Sequence, residues 1–276
     1  MLNSEQKSYL PLKGNPQVLP FAQKTGRIFN PIFWYWLPVV STGDGYRFAA
    51  GFGHTVVHPR PSLVPLMTKE QWPFDLKGLS LKNVDLKVIK DGRQLSKQRG
   101  EMLFTHFGVS GPLVLSASSI IADSPENTVL EIDLKPALRL DELDARILRD
   151  FQKYSRKQIS NALFDLLPTR MVPVILKLAG IDKEKEVDQI SRAERQKLAS
   201  TLKSLKLTIL SARPIEEAIV TRGGIPVSEI NASTMESKLV KGLFFAGEII
   251  DTDGFTGGFN LQIAYSTGAL AGRCMI

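Results

Sequence analysis

Between Gly242 and Gly272 the chain reads GLFFAGEIIDTDGFTGGFNLQIAYSTGALAG, and no other stretch gathers as many groups suited to holding a cofactor. Glu248 follows an apolar run and a glycine, Gly247. A carboxylate in that place can accept hydrogen bonds from ribose or ribityl hydroxyls, and Asp251 and Asp253 can do the same from the loop behind it. Gly257 and Gly258 remove two side chains directly before a helical pattern, so a ligand can approach the free N–H groups of the first turn. The dipole of the helix favours negative charge at that point. Asn260 and Gln262 each donate and accept, which suits a ring presenting both kinds of group, although either can equally cap the helix.

The elements needed to position these groups follow from the flanking pattern. Leu243 to Ala246 is a continuous apolar run, which predicts a strand buried on both faces of a parallel sheet. Leu261, Ala264, Tyr265, Gly268 and Ala271 recur at helical spacing. Ala264, Gly268 and Gly272, four apart, let that helix lie close against its sheet. Strand, acidic turn, glycine loop and helix in this order suit a phosphate-bearing cofactor; the plainer reading is a strand and helix joined by a flexible glycine pair.

The segment resembles the C-terminal FAD-binding motif of the BaiN-like flavoprotein family, in the residues Phe245 to Glu248, Asp251, Gly257, Gly258, Phe259, and Asn260, Leu261 and Gln262. Three further stretches resemble the same family in the same order: Ser41 to Tyr46 (STGDGY), Gly100 to Pro112 (GEMLFTHFGVSGP) and Thr221 to Leu239 (TRGGIPVSEINASTMESKL). The resemblance implies an FAD-dependent oxidoreductase acting on a small organic substrate, with NAD(P)H as a possible partner. Gly247, Glu248, Gly257, Gly258, Asn260, Leu261 and Gln262 would be its cofactor-binding residues, and Glu248 a binder rather than an acid or base. It also implies helix amides facing the pyrimidine edge of the flavin, where negative charge develops on reduction. His106, inside the second of those stretches, is the candidate for proton transfer, with a structural hydrogen bond as the plainer alternative. The family's opening strand and GxGxxG loop have no counterpart in the sequence, so the resemblance also implies a chain lacking the family's first part. A remnant that no longer retains FAD and serves as a scaffold or binding protein is therefore the alternative function.

The fold expected is α/β: an FAD-binding Rossmann-like core, incomplete at its N-terminus, with an inserted β-rich domain and a small helical domain. The boundaries expected are 1–61 for the partial FAD-binding domain, 62–138 for the β-rich domain, 139–204 for the helical one and 205–276 for the return to the cofactor segment. Residues 1–40 carry Pro11, Pro16, Pro20, Pro31, Pro38 and the cluster Phe33, Trp34, Tyr35 and Trp36 without a sustained period. Ser41, Thr42 and Asp44 read as caps of a helix near Gly45 to Phe52, ended by Gly53 before the β-branched run Thr55 to Val57. Strands are expected at Leu63 to Leu66, Leu79 to Leu81, Val84 to Ile89, Glu101 to Phe104 and Val129 to Leu134, with Asp91-Gly92 as a hairpin turn. Leu140 to Ser204 predicts three or four short helices punctuated by Pro168, Pro173 and Gly180. Leu205 to Leu210 returns to strand, and Thr221 to Gly224 reads as a second glycine turn.

Hydrophobic residues make up 43% and charged residues 23% of the 276, a balance that excludes disorder as the dominant state. The net charge of +7 comes without a Lys/Arg block or a zinc-finger spacing, so a basic surface suited to an anionic ligand is expected rather than a nucleic-acid partner. Pro31 to Val40 is the longest apolar stretch and is too short for a membrane span. With one cysteine, Cys274, no internal disulfide is possible, and a cytoplasmic protein is expected. His54 and His58 have no cysteine or carboxylate at metal-ligand spacing, so no metal site is expected.

Overall fold

The computed structural model describes residues 43–275. The expected caps Ser41 and Thr42 and everything read from residues 1–40 lie outside the described residues. The described residues divide into two compact units: Pro65–Arg213, and residues 43–64 together with Pro214 onward.

In chain order the helices and strands begin with α1 (Asp44–Gly51), β1 (Val57–Ser62), β2 (Leu66–Thr68), α2 (Trp72–Asp75) and β3 (Ser80–Lys90). They continue with β4 (Arg93–Phe104), β5 (Gly108–Ser110), α3 (Pro112–Ile121), β6 (Thr128–Asp133), α4 (Leu140–Lys153) and α5 (Ile159–Ala162). The last are α6 (Val172–Ala179), α7 (Arg192–Lys203), β7 (Leu205–Ala212), β8 (Val220–Gly224) and α8 (Phe259–Cys274).

The unit Pro65–Arg213 is built on a closed barrel of six strands in the order β2-β5-β4-β3-β6-β7, with every neighbouring pair antiparallel. Period-two patterning fills its interior: Leu130 and Ile132 on β6, and Leu205, Leu207 and Ile209 on β7, are buried and alternate with more exposed neighbours. β3 and β4 are joined by Asp91 (φ 49°) and Gly92 (φ 76°), the two left-handed residues that a tight primed turn requires. The four helices α4 to α7 leave the barrel after β6 and return to it at β7. They share one apolar core with it: Leu143, Ile147 and Phe151 of α4 and Leu198 and Leu202 of α7 belong to the same buried cluster as the barrel residues.

Local chemistry explains these helices. α7 opens with the Ser-x-x-Glu box, in which Ser191 Oγ accepts the Glu194 N–H at 3.2 Å and Glu194 Oε2 accepts the Ser191 N–H at 2.8 Å. Lys185 beside it, followed by Ser191, holds the Glu194 carboxyl down at about 2. Arg195 on α7 donates to both oxygens of Asp144 on α4 at 2.8 and 3.0 Å. Pro173 in the first turn of α6 and Gly180 in the left-handed conformation at its end bear out the expected punctuation.

The second unit holds α1, α8 and an antiparallel ribbon of β1 and β8. Ile225, Ile230, Leu243, Phe245 and Ile250 form its small core with Ala49 and Ala271.

Several sequence expectations need correction. Leu63 has φ 50°, so the expected strand Leu63 to Leu66 cannot run through it and β2 starts at Leu66. Leu79 to Leu81 and Val84 to Ile89 fall largely within one strand, β3, whose register shifts near Asn83 (φ 55°). The strand expected to follow the Asp91-Gly92 turn is found, and it runs on without a break into the one expected at Glu101 to Phe104, so that the two are a single strand, β4, paired with β3. Leu243 to Ala246 is not a regular strand: among the described residues it makes one isolated bridge, Glu236 to Phe244. Leu243 and Phe245 are buried in the small core, and Phe244 and Ala246 pack against it partly buried, which is what the apolar run serves. Thr221 to Gly224 is not a turn but most of β8.

Candidate functional site

Three stretches distant in sequence meet around residues 247–251. Gly247 (φ 76°) lets the chain turn, and its N–H is held by Thr267 Oγ1 of α8 at 2.9 Å. That brings the turn within 3.8 Å of Ala264, measured from the position a Cβ at Gly247 would occupy. From α1, Tyr46 donates its hydroxyl to the Glu248 carbonyl at 3.3 Å. From β8, the Thr221 N–H and hydroxyl both bond Glu248 Oε1, at 2.6 and 3.0 Å. Glu248 is therefore not a free strand-end carboxylate, since one oxygen is fixed to the ribbon. Among the described residues Oε2 accepts no hydrogen bond, which leaves it directed by a held carboxylate and open to a ligand hydroxyl.

The two aspartates are held in the same manner. Asp251 accepts the Gly223 N–H at 3.0 Å, and Asp253 accepts the Ser62 hydroxyl at 2.5 Å and faces Arg222 at 3.5 Å. The acidic loop is thus docked on the β1/β8 ribbon by its own carboxylates. Gly223 and Gly224 make the docking possible. A Cβ on Gly224 would lie 2.3 Å from the Ile249 carbonyl oxygen, and one on Gly223 would lie 2.6 Å from that of His58. In the space so closed, the Ile225 N–H reaches the Ile249 carbonyl at 2.8 Å and the Asp251 N–H reaches the Ile225 carbonyl at 2.9 Å.

The residues in front of α8 form an open surface. Gly257 (φ 110°) and Gly258 (φ 93°) are exposed, and the N-cap residue Gly258 has no side chain with which to cap the helix. A Cβ at Gly258 would meet nothing within 4 Å. The first intrahelical bond is Gln262 N–H to the Gly258 carbonyl at 2.9 Å, so the amides of the first turn face outward with the positive end of the helix. Asn260 does not cap the helix: its amide pairs with both backbone groups of Gly254 at 2.8 Å and fixes the loop ahead of the glycines. Gln262 is exposed and donates to Ser266 at 2.9 Å, while Leu261 is half-buried. The cleft beside Thr221, Glu248, Thr252, Asn260 and Ala264 holds about 20 Å³, room for one water.

α8 itself is less buried than its apolar pattern suggests. Only Ala271 is fully buried, and Tyr265, read as part of the packed face, is 70% exposed. Phe255 and Phe259 are exposed as well.

His106 belongs to the barrel unit, in the turn between β4 and β5, and is exposed. Its ring meets Phe107 edge to face at 4.8 Å, and Arg213 lies over the Phe107 ring at 4.6 Å. Sequence reasoning missed Tyr46, Thr221 and Thr267 as anchors of the loop, because a lone hydroxyl carries no spacing signal. It also missed a carboxylate partner of His54. The imidazole is fully buried, and Glu229, far along the chain, lies 2.7 Å from its Nδ1.

Residues 60–220 match the family model described as "HI0933-like protein barrel and H2TH domain", which covers the closed barrel and its helices. The chain is 32% identical over 238 residues to a 3-dehydro-bile acid delta(4,6)-reductase of Clostridium scindens, covering 84% of this chain and 58% of the relative. It is 34% identical over 229 residues to a ribosomal RNA dihydrouridine synthase of Haemophilus influenzae, 82% of this chain and 54% of the relative. To the protein of the same name in Escherichia coli it is 30% identical over 223 residues, 81% and 54% of the respective lengths. The chain thus spans a little over half the length of these curated relatives. Joined to the ordered motifs, these matches show that the chain belongs to the HI0933-like, BaiN-like family of flavoprotein oxidoreductases.

Proposed function

We propose that the chain binds FAD through residues 247–262 and serves the reduction of a carbon–carbon double bond conjugated to a carbonyl in a small organic substrate. The observation that carries the reading is Glu248, with Oε1 fixed by Thr221 and Oε2 left open, set in the same docked loop that leads to the uncapped N-terminus of α8. A held carboxylate suits a sugar or ribityl hydroxyl, and outward amides suit an electron-rich or anionic ligand edge. Gly257 and Gly258 leave space for a flat ring to approach those amides, with Leu261 as an apolar neighbour. These residues fit FAD as part of a Rossmann-like core.

The relatives' names support the reaction class. A delta(4,6)-reductase of a 3-dehydro bile acid and a synthase of dihydrouridine both saturate a double bond conjugated to a carbonyl. FAD, when bound, supplies hydride equivalents that originate from NAD(P)H. The chain's part is to bind, orient and exclude water, and to provide the proton that completes the saturated product. His106, the histidine that the resemblance singles out, is our candidate for that proton. A second reading, in which the double bond is that of a uridine in RNA, draws on the names of two of the three relatives.

The test is anaerobic. The FAD-loaded chain is mixed with NAD(P)H, and a 3-oxo-Δ4 steroid or a uridine-containing RNA is added. Oxidation of NAD(P)H that depends on one acceptor names its class, and no oxidation with either contradicts the reading.

A further inference from the structure

Glu229, His54 and Ser237 lie in a row, with His54 Nδ1 2.7 Å from Glu229 Oε2 and His54 Nε2 2.8 Å from Ser237 Oγ. The arrangement has the members of a serine-hydrolase triad, but its hydrogen bonds exclude that chemistry. Ser237 Oγ already accepts the N–H groups of Leu239 at 3.0 Å and Val240 at 2.8 Å, which occupies both of its lone pairs. The hydroxyl is also buried, so it is no nucleophile.

The same count fixes the imidazole. With both lone pairs taken, Ser237 has only its proton to offer, so Nε2 must be the acceptor. The proton of a neutral ring then sits on Nδ1 and is donated to Glu229. Glu229 also accepts the Thr55 N–H at 3.1 Å. Hydrogen bonding from Thr55 first, and then from His54, holds its carboxyl below the usual range against the opposing effect of burial. Two further charged groups on this hairpin bond to backbone instead of to His54: Glu236 accepts the Gly242 N–H and Lys238 donates to the Ser228 carbonyl.

The ring lies against the candidate cofactor loop. His54 meets Phe245 edge to face at 4.8 Å, two residues before Gly247. Ser237 leads into the hairpin whose other arm is residues 243–245, through Ser237 N–H to the Leu243 carbonyl at 2.7 Å and Phe245 N–H to the Met235 carbonyl at 3.0 Å. We propose that His54 is a positioning residue. As the neutral Nδ1–H tautomer it ties α1 to the Ser237 hairpin and sets the place of Phe245, Gly247 and Glu248. The functional part of this claim rests on the FAD reading above; the tautomer and the tie do not.

The test has two arms that need no cofactor. Nitrogen-15 spectra of the imidazoles, taken where the His54 ring is neutral, are expected to show it protonated on Nδ1 with a bare Nε2; an Nε2–H tautomer overturns the proposal. In the second arm His54→Gln, which can still accept from Ser237, is compared with His54→Asn, which cannot reach it. Amide exchange at Leu239, Val240, Phe245 and Gly247 is expected to be about tenfold faster in His54→Asn than in His54→Gln, with barrel amides unchanged. Equal exchange in the two variants overturns the proposal. Where FAD binds, its affinity follows the same order. A wild-type chain that passes both arms but binds no FAD defeats the function proposed above and leaves the tie intact.

Discussion

Glu248 divides its two oxygens between the protein and the ligand, and that division can be tested. Glu248→Gln keeps an oxygen for Thr221 and replaces the open acceptor by a donor or removes its charge. It is expected to change stability by less than about 1 kcal/mol and to weaken FAD at least about tenfold, the cost of a charged hydrogen bond. Thermal melts and flavin-fluorescence titration of the same samples read both quantities; unchanged affinity would remove Glu248 from the site. At Gly224 the constraint is steric: a methyl group would strike the Ile249 carbonyl at 2.3 Å on a backbone with φ 121°. Gly224→Ala is expected to cost more than about 2 kcal/mol in urea unfolding of its unit. At this scale the sequence showed which types matter, since Glu248, Asp251 and the glycine pair stand out by chemistry and spacing. It did not show their partners. Thr221, Tyr46 and Thr267 are single hydroxyls brought in from three other elements, and only tertiary structure selects them.

Elements with a strong local signal were legible. The Asp91-Gly92 turn and the Pro173 and Gly180 boundaries depend on backbone chemistry within a few residues, and each is found where expected. The run Leu243 to Ala246 was misread because apolar content alone does not distinguish a paired strand from an extended segment over a small core. Glu194 gives this scale a pH-dependent prediction. Its folded value of about 2 lies below the ordinary 4.5, so its contribution is complete above about pH 4.5 and is lost as pH falls toward 2. Glu194→Ala is therefore expected to lower stability by about 1 kcal/mol at pH 7 and by progressively less below pH 4.5. Urea midpoints measured across that range check it, and a pH-independent difference would show that packing, not the charged cap, is responsible.

In the whole molecule the larger core lies in Pro65–Arg213, where barrel and helices form one buried cluster. The ends of this unit meet, the Arg213 N–H reaching the Pro65 carbonyl at 2.9 Å. Residues 65–213 produced alone are expected to fold and to melt in one cooperative transition seen by circular dichroism; a chain without a sigmoidal melt would contradict that. A closed barrel could not be read from the sequence, because β2 and β5 are three residues each and closure depends on pairing distant strands. Neither could the sharing of one core by barrel and helices be read, because helical periodicity names a buried face without naming what covers it.

The claim on which the functional account turns is that this chain holds FAD. The measurement is the visible spectrum of the purified chain after incubation with FAD and gel filtration. Flavin bands near ~370 and ~450 nm that travel with the protein, and are lost in Glu248→Gln, are the predicted result. A colourless wild-type protein would contradict the account and leave the chain a folded relative of flavoproteins that does not retain their cofactor.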